Sequence, residues 1–411
     1  MKHILITAYD VNPYQGSESA TGWNYPYNLS KYNKITVVTR ENNLPEIQRF
    51  IAENQLDVVN LKFVGFDLPV WARFWKKGSR GSFLYFYLWQ FFLSVSFFSK
   101  RDQFDICHGL NFHCDWAPSF LWLLGKPFIW GPINHNEPLP DYALKGLTKG
   151  ELRKEKIKQV FKWIFWSLDP FLFLCKKKAT KILVGHSDVI KRLGLSLNKC
   201  VLFNQIATEV RQKHVGNNEG FNVLFIGRGL LIKNYLTVLD AFKLCIENKE
   251  FTNKNLSISF VGVGKKAKNK LLSRALELNI EQYLSVHKWV AFEDIEQYYL
   301  DANVFCFPSF EGAGMVIAEA LSYGVPVITI DKNGAAHELK EDCSFVISSS
   351  DKRGMVIGVS NAIALLINDK NKYLLMRDAA YSYAEKKLSW QAKSKTIGDI
   401  YTSILWSYEK K

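Results

Sequence analysis

The sequence lacks most of the short motifs that announce a reaction. It has no D-x-D acid pair of the kind that holds a divalent metal, no H-E-x-x-H, no G-x-S-x-G and no GxxxxGK[ST] loop. Metal hydrolases, serine hydrolases and P-loop enzymes all lose ground. The seven cysteines (Cys107, Cys114, Cys175, Cys200, Cys245, Cys306 and Cys343) are scattered, with no C-x-x-C pair. That argues against a zinc site or a disulfide framework and suits a reducing cytosol. The apolar run from Phe83 to Phe98 stops at 16 residues and contains Gln90, Ser94 and Ser96, short of the roughly 20 that a spanning helix needs. It reads as a buried or membrane-facing helix. No repeat at a solenoid period and no long low-complexity segment is visible. The opening MKHILITAY enters a strand directly, so no signal peptide is expected.

What is present is 411 residues, 48% of them hydrophobic, enough for two large α/β domains with packed cores. The formal charge of +14 calls for an anionic partner: nucleic acid, an anionic membrane surface or a nucleotide diphosphate. The excess is concentrated. Residues 141–181 hold eleven Lys or Arg against four Asp or Glu, among Phe161, Trp163, Ile164, Phe165, Trp166, Phe171 and Phe173. Basic residues interleaved with aromatics suit a lipid headgroup region better than a DNA groove. A helix with an apolar core face and a solvated basic face would look the same.

Taken in order, Ile4 to Ile6 form a first strand that ends in the loop Tyr9 to Gly16. Gly16-Ser17-Glu18 reads as a helix start, with Ser17 as cap and free amides suited to an anionic group. Strands follow at Ile35 to Thr39 and Val58 to Val64. Asp105 to Cys107 runs into HGLNFHCDWAPSF, placing His108 and His113 at the carboxyl end of a strand, where ligands bind in open α/β sheets. His113, out in the loop, is the better acceptor contact; His135, in WGPINHNE, is the next imidazole. Lys181 to Val184 is a strand, with Ser187 expected to cap the helix after it. A linker is placed near 205–218.

The second half opens with Asn222 to Ile226 and GRGLLIKN. Leu236, Leu239, Phe242 and Ile246 then share one helix face. Leu256 to Val261 enters GVGKKA, which formally matches the dinucleotide pattern G-x-G-x-x-A. The match falls on the second strand of its half, so a tight turn at Gly262 is preferred to NAD binding. A strand at Tyr283 to Val286 leads to HKWVAFEDIEQYYLDAN. NGAAHEL makes a structural turn at Glu338, and helices span 351–368 and 370–386. Ser389 is expected to cap a last helix with Ile397, Tyr401, Ile404 and Tyr408 on one face.

The organising stretch is VFCFPSFEGAGMVIAEALSYGVPVITI, Val304 to Ile330: strand, glycine-bearing loop, helix, strand. Gly312 and Gly314 let the backbone turn sharply near a ligand. Glu311 in the loop and Glu319 in the helix stand eight residues apart, with Glu319 on the side of Met315.

PSFEGAGMVIAEALSYGVPV resembles the E-x7-E signature of retaining family 4 glycosyltransferases. The resemblance implies a GT-B fold: two Rossmann-like α/β/α domains, 1–205 and 206–386, facing each other across a cleft, with a C-terminal helix, 387–411, crossing back to the first. GRGLLIKN is similar to the family's glycine-arginine…lysine loop, in which Arg228 and Lys233 would clamp the donor diphosphate. The departures are Asn234, where a glycine usually follows the lysine, and Ala313, where an aromatic is usual. The resemblance assigns Glu311, Gly312, Ala313, Gly314 and Met315 to the donor sugar and diphosphate, and Glu319 to the ribose hydroxyls. Gly262 and Val290 would lie along the nucleotide, and Gly16 near its phosphates. Glu311, Arg228, Lys233 and His113 form the expected catalytic set, with His113 and His135 toward the acceptor. No metal and no cofactor are implied, since two cations serve the leaving group.

The expected activity is transfer of a sugar from a UDP- or GDP-linked donor to a glycan or lipid-linked acceptor, with retention. The expected setting is bacterial surface polysaccharide synthesis in the cytoplasm, on the inner face of the membrane through residues 141–181, without nucleic acid. The alternative is a non-catalytic, basic membrane- or nucleic-acid-binding protein on a degenerate GT-B fold; a dehydrogenase is third.

Overall fold

Short apolar strands alternating with helices build two all-parallel sheets. The structure, a computed structural model, describes residues 1–411 except 77, 79–80, 111–113, 135, 137, 146, 212–219, 248–254, 292–293 and 410–411. The chain divides into two compact units. The first comprises Met1–His135, Lys154–Gln205 and Trp390–Lys411; the second comprises Asn136–Arg153 and Ile206–Ser389.

The first unit holds seven strands: β1 (His3–Thr7), β2 (Lys34–Thr39), β3 (Leu61–Gly65), β4 (Ile106–Gly109), β5 (Phe128–Ile133), β6 (Lys181–Val184) and β7 (Cys200–Leu202). Their order is β3-β2-β1-β4-β5-β6-β7. The expected strand at Val58 to Val64 thus begins three residues later, at Leu61. The apolar run becomes the helix Ser82–Ser96, which buries Tyr85, Phe86, Trp89 and Leu93 in the core while leaving Leu84, Phe92 and Val95 exposed. The last helix, Trp390–Glu409, packs on Ser17–Leu29 through Trp390 and Tyr25, whose rings are 5.2 Å apart. Ile397, Tyr401 and Ile404 are buried on its inner face, whereas Tyr408, a turn further out, is exposed. His108 is not a site residue: wholly buried in β4, its ring bonds Tyr401 Oη at 2.7 Å and the Gly131 carbonyl at 2.6 Å, and burial lowers its pKa to about 4.

Two expected serine caps are replaced. Gly16 occupies the cap position of Ser17–Leu29, while Ser17 is the first helical residue, with φ +59°. Before Ser187–Leu193 the cap is His186, whose Nδ1 accepts from the Asp188 amide at 3.1 Å. In both places the helix begins one residue earlier than a serine cap requires, at the serine itself, so the preceding residue faces the free amides.

The second unit has β8 (Phe221–Ile226), β9 (Leu256–Val261), β10 (Leu284–Val286), β11 (Val304–Phe307), β12 (Val327–Ile330) and β13 (Ser344–Ile347), in the order β10-β9-β8-β11-β12-β13. The order reverses between β8 and β11. In such sheets the crevice outside the carboxyl ends at that switch point is the natural ligand site. Phe225, Phe260, Phe305 and Phe307 fill the core beneath it. Residues 136–153, expected with the first domain, belong to this second unit. Tyr142 Oη donates to the Ser349 carbonyl at 2.9 Å, and Leu139 and Tyr142 pack on Phe310, Ile330 and Met355. The long-range contacts of Leu139 and Tyr142, absent from local periodicity, decide the assignment.

Candidate active site

The chain leaves β8 through Gly227, at φ +152°. A Cβ there would come within 2.9 Å of the Lys233 side chain. A bare backbone is thus what lets Lys233 fold back beneath the turn. Lys233 ends the short helix Leu231–Lys233 and is 8% exposed. Its Nζ lies 2.9 Å from Glu311 Oε2 and 4.7 Å from the centre of the Phe307 ring. Asn234 follows in the left-handed conformation, φ +51°, one that glycine and asparagine tolerate best. That explains the departure noted above: asparagine meets the backbone demand, and its Oδ1 also accepts from Thr237 Oγ1 at 2.8 Å. Arg228 is exposed; its carbonyl accepts from the Leu230 amide at 2.6 Å.

After β11 the chain forms the loop 308–314. Ser309 Oγ accepts from the Glu311 amide at 3.2 Å, and the Phe310 amide donates to the Ile232 carbonyl at 2.8 Å. This ties the acid loop to the lysine turn. Wholly buried Asn333 donates to the Ser309 carbonyl at 3.2 Å, and the Gly334 amide reaches the Glu311 carbonyl at 2.8 Å. The Gly312 amide donates to Asn136 Oδ1 at 2.9 Å. Ala313 is half-buried; nothing in the loop explains the missing aromatic. Gly314, at φ +106°, turns the chain into the helix Met315–Ser322.

One turn after Met315, Glu319 opens into a cavity of about 290 Å³ lined with Thr208, Arg211, Ile295, Glu296, Tyr299 and Tyr323. Tyr299 Oη donates to Glu319 Oε2 at 2.8 Å. Burial raises the Glu319 carboxyl above its ordinary value, against the opposing pull of Tyr299, Arg211 and Lys233. A deep-set carboxylate with a phenol beside it is equipped to accept from a pair of vicinal hydroxyls. A larger cavity, about 410 Å³, is bordered by Leu147, Leu231, Tyr235, Lys266 and Lys352 and contains neither Glu311 nor Glu319. The chemistry assigns the site to the carboxylates, not to the larger volume.

The segment that carries these groups is recognisable. Residues 207–384 match the sequence model of the family Glycosyl transferases group 1. This segment is similar to a glycosyl transferases group 1 domain. A Haemophilus influenzae protein described as an uncharacterized glycosyltransferase is 28% identical over 170 residues, 41% of this chain and 45% of that protein. The chain thus spans under half of that relative's length. An Escherichia coli relative, UDP-Gal:alpha-D-GlcNAc-diphosphoundecaprenol alpha-1,3-galactosyltransferase, is 24% identical, covering 66% of this chain and 68% of its own. Among solved structures, Anabaena HepE in complex with UDP aligns with 98% of this chain and 100% of its own, at a TM-score of 0.63 and 13% identity. The two sheets and this likeness show the GT-B fold.

Within the matched segment, Gly262 follows β9 at φ +82°, and its amide donates to the Lys288 carbonyl at 3.1 Å. This lays the stretch carrying exposed Trp289 and half-buried Val290 beside the end of β9. Arg228, Lys233, Gly262, Val290, Glu311, Gly312, Ala313, Gly314, Met315 and Glu319 therefore all sit at or just beyond the carboxyl ends of its strands, in one unit. Gly16 belongs to the first unit, where a Cβ on it would meet nothing within 4 Å. His113 and His135 lie outside the described residues. Among the described residues no group of three or more His, Cys, Asp or Glu could hold a metal ion.

Sequence reasoning missed Tyr299, Arg211, Asn333 and Asn136. Asn333-Gly334 carried a turn signal that could have been used. Tyr299 sits in a run of aromatic and acidic residues with no motif, and only the packing of its helix aims it at Glu319.

Proposed function

We propose that this chain is a family 4 glycosyltransferase that moves a sugar from a UDP- or GDP-linked donor to a hydroxyl of a glycan or lipid-linked acceptor, with retention of configuration. The observation that carries the reading is the pairing of Lys233 with Glu311 beside the switch point of a sheet within the segment that matches the group 1 family, with Glu319 half-buried one turn into the adjoining helix. In the reaction the bond from the anomeric carbon to the diphosphate oxygen breaks, and a bond to the acceptor oxygen forms. The acceptor's proton passes to the leaving phosphate on the same face. Lys233 and Arg228 stabilise the charge that develops on that phosphate. Glu311 orients the sugar, Glu319 accepts from the ribose hydroxyls, and neither needs to act as a base. Gly16 is assigned to the donor phosphates, and His113 and His135 to the acceptor side.

The E. coli relative, whose described acceptor is a diphosphoundecaprenol lipid, supports a lipid-linked acceptor and a setting in surface polysaccharide synthesis. We place the reaction in the cytoplasm at its membrane boundary. Thermal-shift titration with UDP, GDP and their sugars, then mass spectrometry of products, tests the reading. Stabilisation by one nucleotide and a product heavier by one glycosyl unit are expected. No stabilisation by any of them, with no product, would refute it. NMR of the product linkage decides retention.

A further inference from the structure

The helix Lys149–Leu168 has one side anchored and the opposite side bare. From Lys154 onward it belongs to the first unit. On the anchored side Trp166 Nε1 donates to Asp115 Oδ1 at 3.2 Å, and Arg192 holds the same buried carboxylate at 2.7 Å. Lys162 is 4% exposed, and Phe165 packs edge-on against Phe83 with ring centres 5.0 Å apart. These contacts fix the roll of the helix. On the other side Ile157, Phe161, Ile164 and Leu168, spaced four, three and four residues apart, form a single stripe. Ile157 is 59% and Leu168 66% exposed, and Trp163 on the stripe's flank is 58% exposed. Burying the stripe by rolling the helix would break the Asp115 contacts.

The bare face continues onto its neighbours. Phe161 touches Phe83 of the helix Ser82–Ser96, whose outer edge exposes Phe92 and Val95. On the helix Pro170–Lys178, which follows directly in the chain, Phe173 is 60% exposed. Lys154, Lys156 and Lys158 on the first of these helices and Lys177 and Lys178 on the last are exposed alongside the apolar side chains. Contiguous apolar surface of this kind marks an interaction site, and its charge selects the partner. Residues 141–181 carry eleven basic against four acidic side chains. A second copy docked through the same face would bring two such segments together, and like charges oppose that. Nucleic acid would place phosphates where the apolar stripe lies. A sheet of anionic headgroups over hydrocarbon satisfies both parts: apolar side chains enter the acyl boundary while the exposed lysines meet phosphates. No described helix is long and apolar enough to cross a membrane, so the geometry is that of a helix lying on one.

We propose that the outer faces of Lys149–Leu168, Ser82–Ser96 and Pro170–Lys178 dock on an anionic lipid bilayer. This deepens the membrane placement proposed above and does not depend on the transfer chemistry, because it is assayed without donor. The full chain is cosedimented with vesicles of phosphatidylglycerol and phosphatidylethanolamine, and with phosphatidylcholine vesicles. Binding to the anionic vesicles only is expected, weakened in salt near 1 M, where the screening length falls to about 3 Å. The pair Ile164→Ser and Leu168→Ser should reduce partitioning by tenfold or more, since each side chain withdrawn from hydrocarbon costs about that factor. Nucleotide-induced thermal shifts, which read the second unit, should be unchanged. The pair Lys177→Gln and Lys178→Gln, both exposed, should weaken binding without altering the melting curve. Failure of the wild-type chain to bind anionic vesicles would overturn the proposal. So would unaltered binding by both double variants, or a wild-type dimer that the apolar double variant turns into a monomer without any vesicle binding.

Discussion

Lys233 should matter twice, once for the domain and once for the donor. Its ammonium is 2.9 Å from Glu311 Oε2, and the two side chains are only 10% and 22% exposed. Lys233→Met keeps the length and the packing on Phe307 but strands the Glu311 carboxylate in a mostly enclosed loop. Breaking a fully buried pair costs about 3–5 kcal/mol, and the partial exposure of Glu311 reduces this to about 2 kcal/mol. For a unit of this size that is a drop of roughly 4–8 °C in the melting transition. Glu311→Gln should cost less, because its amide oxygen still accepts from Lys233. The double variant should melt above Lys233→Met, since it leaves no unpaired charge; the positive coupling is the signature of the pair. Nucleotide affinity responds separately. A charge-assisted bond to the diphosphate is worth about 1.5–3 kcal/mol, so Lys233→Met should bind UDP or GDP roughly 10–150-fold more weakly by calorimetry. Restoring the melting temperature in the double variant should not restore that affinity. If Lys233→Met melts like the wild type and binds nucleotide equally well, both the pair and the clamp are wrong.

Three more outcomes are expected. Glu319 must be ionised to accept from two ribose hydroxyls, and burial raises its carboxyl, so nucleotide affinity should fall on acidification at a higher pH than an ordinary glutamate would dictate. Tyr299→Phe removes a bond that favours the carboxylate and should move that fall to still higher pH, whereas Glu319→Gln should bind weakly with no such fall; calorimetry across pH reads all three. Gly314→Ala places a side chain at φ +106° and should cost about 1–3 kcal/mol, seen in thermal melts, with weaker nucleotide binding as the loop shifts. Transfer should survive excess EDTA if, as proposed, Lys233 and Arg228 serve the leaving group; complete, metal-reversible loss would contradict that assignment.

Much of the second sheet was legible because parallel strands buried on both faces read as unbroken apolar runs. Val304 to Phe307 and Val327 to Ile330 match β11 and β12 in sequence and structure. The loop after β11 was legible because glycine positions record backbone demands, and Gly314 does carry positive φ, as does Gly262 after β9. Caps were less legible. Ser17 and Ser187 have the right chemistry for a cap, but the cap position depends on where the backbone first turns, one residue away in each case. Least legible was the place of residues 136–153, whose Tyr142 finds its partner at Ser349, 207 residues on. No local pattern encodes a contact at that separation.

The two carboxylates of the signature differ in what surrounds them, and that difference separates their work. Glu311 faces a cation across 2.9 Å, in a loop pinned by Ile232, Asn333 and Gly334. Any diphosphate that draws Lys233 toward itself loosens Glu311 from its partner. In the proposed reaction, donor binding would therefore exchange one ion pair for another and free the Glu311 oxygen to accept from a sugar hydroxyl. Glu319 has no cation within hydrogen-bonding distance among its described contacts; its near partner is the Tyr299 hydroxyl, in a cavity large enough for a ribose. Its raised carboxyl is the cost of keeping an acceptor in a confined place. On the proposed function, Glu311 would be coupled to the diphosphate through Lys233, while Glu319 would sense the nucleoside alone. Free UDP or GDP should loosen the Lys233–Glu311 pair without any sugar present, whereas a nucleoside lacking phosphates should engage only Glu319.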